Sequence, residues 1–184
     1  MVEENRIVLI CGQSGAGKST SSRALFDRLE TAALLNGSNL ATVEPFVWGD
    51  KLDDLCIRNA AAVTRNMFDA GFSQVVLSGI GRTQQLVDEF LALLGRRVTC
   101  CYFSLVAETS ERTRRRLARA RDGADTDISF HPVLDKLMTA SGHINHVLYR
   151  EIDTTDLSAD QVVDEMVVHL RQHRYRFRGA LAVG

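Results

Sequence analysis

The segment "CGQSGAGKST", Cys11–Thr20, sets three glycines and a lysine between an apolar run, "RIVLI", and a string of helix formers. Gly12, Gln13, Ser14, Gly15, Ala16, Gly17, Lys18 and Ser19 satisfy the spacing G-x-x-x-x-G-K-[ST]. Each residue type answers a chemical need. Glycines let the backbone curl until several N–H groups point at phosphate oxygens. The helix that follows adds its dipole and unpaired amides. Lys18 brings a positive charge to the β- and γ-phosphates, and the Ser19 hydroxyl is a ligand for the Mg²⁺ bound to them. With Thr20, residues 12–20 form a candidate site for a nucleoside triphosphate. The competing reading is a chance glycine-rich turn. The four fixed positions coincide by chance in about one chain of this length in a hundred or fewer, so the phosphate reading is preferred.

The residues after the other apolar runs are the next candidates, since ligands in open parallel sheets lie beyond the carboxyl ends of the strands. Asp50, in "WGDKLDD", is expected at the mouth of the sheet, where a carboxylate accepts a proton from an attacking hydroxyl or holds a Mg²⁺-bound water. The alternative role is a helix N-cap. Asp53 and Asp54 lie one turn later and read as solvated surface unless one of them faces the site. The run "QVVLS" ends in Ser78 where nucleotide-binding strands commonly end in Asp, which makes Asp50 the expected acidic metal candidate beside Ser19. Arg82 follows two glycines and either pairs with a substrate anion or caps nothing on the surface. Arg58, Arg65 and Asn66 either contribute to the acceptor pocket or lie on a helix surface.

Six arginines (112, 114, 115, 116, 119 and 121) crowd the segment "ERTRRRLARARDGADTD". Four of them share a helical face by spacing, and like charges at such spacing repel, so an anion is expected to compensate part of the set. The Gly-containing exit suits a lid around residues 112–128, with Arg119 and Arg121 brought to the transferring phosphoryl group. The C-terminal "RQHRYRFR" interleaves arginines with Tyr175 and Phe177, a pattern that can grip single-stranded nucleic acid but reads more simply as a solvated helix end.

Short apolar runs alternating with helical stretches must position these groups. Strands are expected at 6–11, 41–48 (interrupted by Pro45), 74–78, 98–105 and 147–153. Helices are expected at 18–31, 51–70, 83–94, 110–121, 132–140 and 158–173, the last opened by a Ser158/Gln161 capping box. Continuous apolar strands alternating with helices predict an α/β fold, a parallel sheet covered on both faces, in a single domain over 1–184. The net charge of −1 argues against general affinity for nucleic acid or anionic membrane. The acidic first residues and the lack of a 20-residue apolar run predict neither a secretory leader nor a membrane span, and hence a cytoplasmic protein. Cys11, Cys56, Cys100 and Cys101 have no zinc-ligand spacing and read as structural thiols, with Cys100 and Cys101 on opposite faces of one strand. The five histidines show no metal pattern beyond a loose His143/His146 pair.

"GQSGAGKST", then "WGD", then a helix ending "DAGF" before an apolar strand, resemble the small P-loop kinases of the adenylylsulfate kinase, gluconate kinase and chloramphenicol phosphotransferase branch, over residues 6 to about 170. The resemblance implies a three-layer P-loop NTPase fold with a five-stranded parallel sheet of nucleoside monophosphate kinase type. It also implies ATP with Mg²⁺ and transfer of the γ-phosphoryl group to a hydroxyl. It casts Asp50 as the carboxylate near the acceptor and Thr154, Thr155 and Asp156 as neighbours of the adenine. Neither the Arg-x-x-Asn pattern of adenylylsulfate kinases nor the Tyr-Arg-Asp pattern of gluconate kinases is present, so neither substrate is assigned. The expected partner is a small hydroxylated metabolite or antibiotic, the expected state monomer or homodimer. The alternatives are a nucleotide, nucleoside or polynucleotide kinase, or a P-loop ATPase or switch acting through a protein partner.

Overall fold

The computed structural model describes residues 4–47, 49–121 and 143–178, with only the backbone at residues 120 and 121. The predicted helix at 132–140, Trp48, and the exit of the arginine-rich helix lie outside them. The elements run β1 (Asn5–Gly12), α1 (Lys18–Arg28), β2 (Ala32–Asn36), α2 (Asp50–Asp69), β3 (Gln74–Ser78), α3 (Gln84–Leu94), β4 (Val98–Val106), α4 (Thr109–Arg121), β5 (Leu148–Asp153) and α5 (Ala159–Gln172). The five strands form one parallel sheet in the order β2-β3-β1-β4-β5.

The central strands β1, β3 and β4 are buried on both faces, and their side chains alternate between two cores. Ile7, Leu9, Val75, Leu77 and Tyr102 face one core, closed by Ile57 and Ala60 of α2 and Phe90 and Leu94 of α3. Val8, Ile10, Val76 and Phe103 face the other, closed by Leu25 of α1 and Val163, Met166 and Leu170 of α5. Cys100 and Cys101 fall in different cores, as their adjacency in a strand requires. The helix starts follow local chemistry. Thr83 accepts from the Leu86 amide at the head of α3, and Ser158 and Gln161 form the reciprocal capping box of α5.

The second strand differs from expectation. It is Ala32–Asn36, and residues 41–47 form no strand. "TAALLNG" reads as a continuation of α1 by propensity, yet α1 ends at Arg28 and Leu29 turns extended to bridge Phe177. The free edge of β3 decides the matter: Ala33, Leu34 and Leu35 pair with Val75, Val76 and Leu77, and that pairing overrides helix propensity. Pro45, which has no amide to give to a ladder, sits in the irregular stretch instead.

The C-terminal "RYRF" is part of the body of the protein. Tyr175 and Phe177 are buried. The Tyr175 hydroxyl donates to the carbonyls of Ile7 (2.6 Å) and Thr99 (3.2 Å), and the Gln74 amide bonds Glu30 and Arg176. These aromatics cannot serve as a stacking platform for nucleic acid, because a base cannot reach a buried ring. Removing the hydroxyl as Tyr175→Phe costs about 1–2 kcal/mol of unfolding free energy in a urea titration; an unchanged midpoint means that the two carbonyls find other donors. Among the described residues no helix is long and apolar enough to cross a membrane.

Candidate active site

Three cavities line up along the loop between β1 and α1. The first, about 350 Å³, lies over the loop itself and is lined by Ser14, Gly15, Lys18, Ser19 and Thr20 below and by Arg114, Arg115 and Arg119 of α4 above. α1 begins at Lys18 with Gly17 as its N-cap, no side-chain cap and no acidic residue in its first turn. Its positive end therefore has no compensating charge or cap from its own sequence, which is the condition that favours an anion there. The residues present fit a triphosphate. Lys18 Nζ donates to the Gln13 carbonyl at 3.0 Å. Gly15 is demanded by close approach: a Cβ there would stand 2.7 Å from the Arg112 carbonyl oxygen, and its φ is +87°.

α4 is docked onto this loop. Arg112 is buried and donates to the carbonyls of Ala107 (3.2 Å) and Ser14 (3.5 Å) and to Thr109 Oγ1 (3.1 Å). Arg115 donates to Thr154 Oγ1 (3.0 Å), to the carbonyls of Thr154 (2.6 Å) and Thr155 (3.3 Å), and to Glu111. These two guanidiniums fasten the first turns of α4 to the body. The anion expected to relieve the arginine repulsion is in part internal. Glu111 binds Arg114 and Arg115, and the Arg114 hydrogen bond foremost pulls its carboxyl down to about 2. Arg119 stands on the cavity wall; the Arg121 side chain and residues 122–128 lie outside the described residues.

A second cavity, about 230 Å³, continues past Gly17 and Thr20 to Thr154, Leu157 and Val162. Thr155 is not on its wall. Its hydroxyl donates to Asp153 Oδ1 (2.6 Å) and accepts from the Glu108 amide (3.0 Å). Thr154 instead ties the loop to the sheet, donating to the carbonyls of Ala16 and Val106 at 3.2 Å each.

The third cavity, about 420 Å³, opens on the other side of the loop and shares Ser14, Lys18 and Ser19 with the first. Its walls come from the end of β2 (Asn36, Gly37, Ser38), from α2 (Leu52, Asp53, Cys56, Ile57) and from the loop after β3 (Gly79–Arg82). Buried groups hold that last loop in place: the Tyr102 hydroxyl donates to the Gly81 carbonyl at 3.1 Å, the Cys11 thiol donates to Ile80, and the Gly79 amide bonds Ile10. Asn59 of α2 donates to the Leu40 carbonyl at 2.8 Å and fixes the approach to Ala41.

The acidic residue of this cavity is not the expected one. Because β2 lies earlier in the chain, Asp50 does not follow it; Asp50 opens α2, is exposed and is absent from the cavity wall. The residues directly after the β2 core, Asn36, Ser38 and Asn39, carry no carboxylate. Asp53, one turn into α2, is the carboxylate on the wall, and it is bonded to Arg82, both side chains being largely buried. Arg82 lies on the cavity wall, bonded to a carboxylate of the chain itself. Arg58 does not: it is exposed on another face of α2 and paired with Asp54. Arg65 donates to the Leu93 carbonyl and Asn66 is exposed. Ser78 is buried, and its hydroxyl has no hydrogen-bond partner among the described residues. Helical spacing does not separate the two carboxylates, since Asp50 and Asp53 stand seven and four residues before Ile57 and share its face. Among the described residues no group of three His, Cys, Asp or Glu side chains forms a metal site.

Known structures decide the fold. An unliganded sugar kinase from Janibacter sp. superposes with a TM-score of 0.68 at 15% identity, covering 91% of this chain and 95% of its own. A gluconokinase from Sinorhizobium meliloti gives 0.67 at 15% identity, covering 93% and 94%. The Mycobacterium tuberculosis APS kinase, solved with AMPPNP and APS, gives 0.62 at 18% identity, covering 91% and 98%. The chain has the fold of the small P-loop kinases. No protein-family model matches the sequence, and no curated protein sequence matches it significantly. At these identities the likeness carries the five-stranded P-loop architecture, and the chemistry has to be argued from this chain's own residues.

Proposed function

We propose that the protein is an ATP-dependent phosphotransferase that moves the γ-phosphoryl group of ATP to a hydroxyl of a small molecule bound in the third cavity. The observation that carries this reading is the shared wall: Ser14, Lys18 and Ser19 face both the loop cavity and the cavity that holds Asp53 and Arg82. A triphosphate seated on the loop would present its terminal group towards that shared wall.

In this reading the loop amides and Lys18 hold the β- and γ-phosphates, and Arg119 adds positive charge from above. The cavity at Thr154 and Leu157 receives the base. Ser19 would hold Mg²⁺, which supplies charge neutralisation on the phosphates. Asp53 accepts the proton of the acceptor hydroxyl and orients its oxygen, while Arg82 holds the carboxylate in place. The acceptor oxygen bonds to the γ-phosphorus, and the bond from that phosphorus to the bridging oxygen breaks. The bridging oxygen keeps the electron pair as ADP leaves. The enzyme contributes chiefly position and charge, because the transferring group needs little covalent help.

The test is ATP consumption against a panel of hydroxylated compounds, with mass detection of a product heavier by one phosphoryl group. Asp53→Asn lowers transfer roughly 10- to 100-fold with nucleotide affinity little changed. Asp50→Asn serves as the comparison. If Asp50→Asn stops transfer and Asp53→Asn does not, the carboxylate assignment reverts to position 50.

A further inference from the structure

Among the described residues, the charge balance of the third cavity says what kind of acceptor fits it. Arg82 lies on its wall with its charge already matched by Asp53. Lys18 is shared with the loop cavity, where the triphosphate reading uses it. The other basic residues of α2 are turned elsewhere: Lys51 and Arg58 are exposed and off the wall, and Arg65 is bonded to Leu93. The polar groups at the end of β2 are an amide and a hydroxyl, Asn36 and Ser38. Much of the remaining surface is apolar: Phe46, Leu52, Ile57, Ile80 and Leu86. Phe46 leaves 46% of its surface exposed at this wall, which an apolar ligand would cover.

An anionic acceptor meets an unfavourable balance here. To pair with Arg82 it must displace Asp53 or lie beside it, and a carboxylate next to a second anion in a part-buried site is disfavoured. A neutral alcohol meets none of this. Its hydroxyl can donate to Asp53, its other polar atoms can bond Asn36 and Ser38, and its apolar part covers Phe46 and Leu52. The volume is in the range that takes drug-sized molecules. We infer that the acceptor is an uncharged, partly apolar alcohol, and not a carboxylate, sulfate or phosphate ester. This rests on the phosphotransfer reading for the word acceptor; the preference of the cavity itself can be measured without turnover.

Cys56 provides the measurement. It lies on the cavity wall and is half-buried, its own thiol pushed up by burial and by Asp53, whereas Cys11, Cys100 and Cys101 are buried out of reach, and burial pushes the Cys11 thiol up to about 11 and the Cys101 thiol up to about 12. Iodoacetamide at mildly alkaline pH therefore alkylates Cys56 first, and the rate is read by peptide mass. The probes are a naphthalene bearing two hydroxymethyl groups and the same ring with one of them replaced by carboxylate, each at millimolar concentration. The diol is expected to slow Cys56 alkylation at a concentration about tenfold lower than the carboxylate. In Asp53→Asn the order reverses, because Arg82 is released to pair with the carboxylate. Equal or better protection by the carboxylate in the unmodified protein overturns the inference, as does protection by neither probe, and this comparison needs no variant to fold. Protection by the diol without any phosphorylated product in the panel would instead sink the transfer reading and leave the cavity's preference standing.

Discussion

On the phosphotransfer reading, Lys18→Ala is expected to lower ATP-dependent phosphoryl transfer by about 1,000-fold while the protein stays folded. The side chain leaves the first residue of α1, is only partly buried, and spans from the loop carbonyl of Gln13 to the wall shared by two cavities. Its ammonium is the charge that the loop backbone cannot replace. Amides supply partial charges to phosphate oxygens in the ground state, but charge moves onto the β–γ bridge as the phosphoryl group departs, and only a group already fixed there answers that change without reorganisation. The effect should appear in turnover at saturating ATP as well as in nucleotide affinity. The measurement is steady-state turnover with the best acceptor from the panel, alongside circular dichroism and a thermal melt. Turnover within tenfold of the unmodified protein, with an intact melt, would remove the loop from catalysis.

Gly12→Ala is expected to cost at least about 3 kcal/mol of stability, a fall in melting temperature of roughly 10 °C for a chain of this size. Gly12 closes β1 in register with Leu105 of β4. A Cβ built on it would stand 2.1 Å from the Leu105 carbonyl oxygen and 3.0 Å from its carbon, at a φ of +139° that L side chains rarely adopt. Backbone cannot swing aside as a side chain does, so β1 and β4 must part where Val8, Ile10, Phe103 and Leu105 pack the core. That is the point from which the loop leaves the sheet, and the variant should lose nucleotide binding in proportion. Gly49→Ala is the control: nothing lies within 4 Å of a Cβ there, and its φ of 161° is extended backbone open to any residue. A Gly12→Ala protein melting with the Gly49→Ala protein would show that the two strands have room that their register denies.

Two readings changed once the chain was folded, and both for the same reason. The strand expected at 41–48 rested on a local apolar run, while the strand that forms, Ala32–Asn36, depends on β3, whose residues lie about forty positions away. Moving that strand moved its carboxyl end, and with it the expected acid. Asp50 and Asp53 are indistinguishable as carboxylates in "WGDKLDD", but the fold places Asp53 on the cavity wall with Cys56 and Ile57 and brings it to Arg82, 29 residues further on. The arginines of α4 and the aromatics of the C-terminal segment follow the same rule. By sequence they read as a charged lid and a solvated helix end, whereas Arg112, Arg115, Tyr175 and Phe177 are engaged with carbonyls and core.

The sequence by itself determined what depends on adjacent residues. These are the glycine-lysine loop between strand and helix, the places of four of the five strands, the capped start of α5, and the parallel sheet that alternating strands and helices demand. Tertiary structure alone decided what depends on residues far apart: which segment completes the sheet edge, which carboxylate meets the cavity, and which cations remain to face a ligand. Local rules act through backbone geometry over a turn or two, but a site's charge balance is set by groups that only folding brings within a few ångströms of one another.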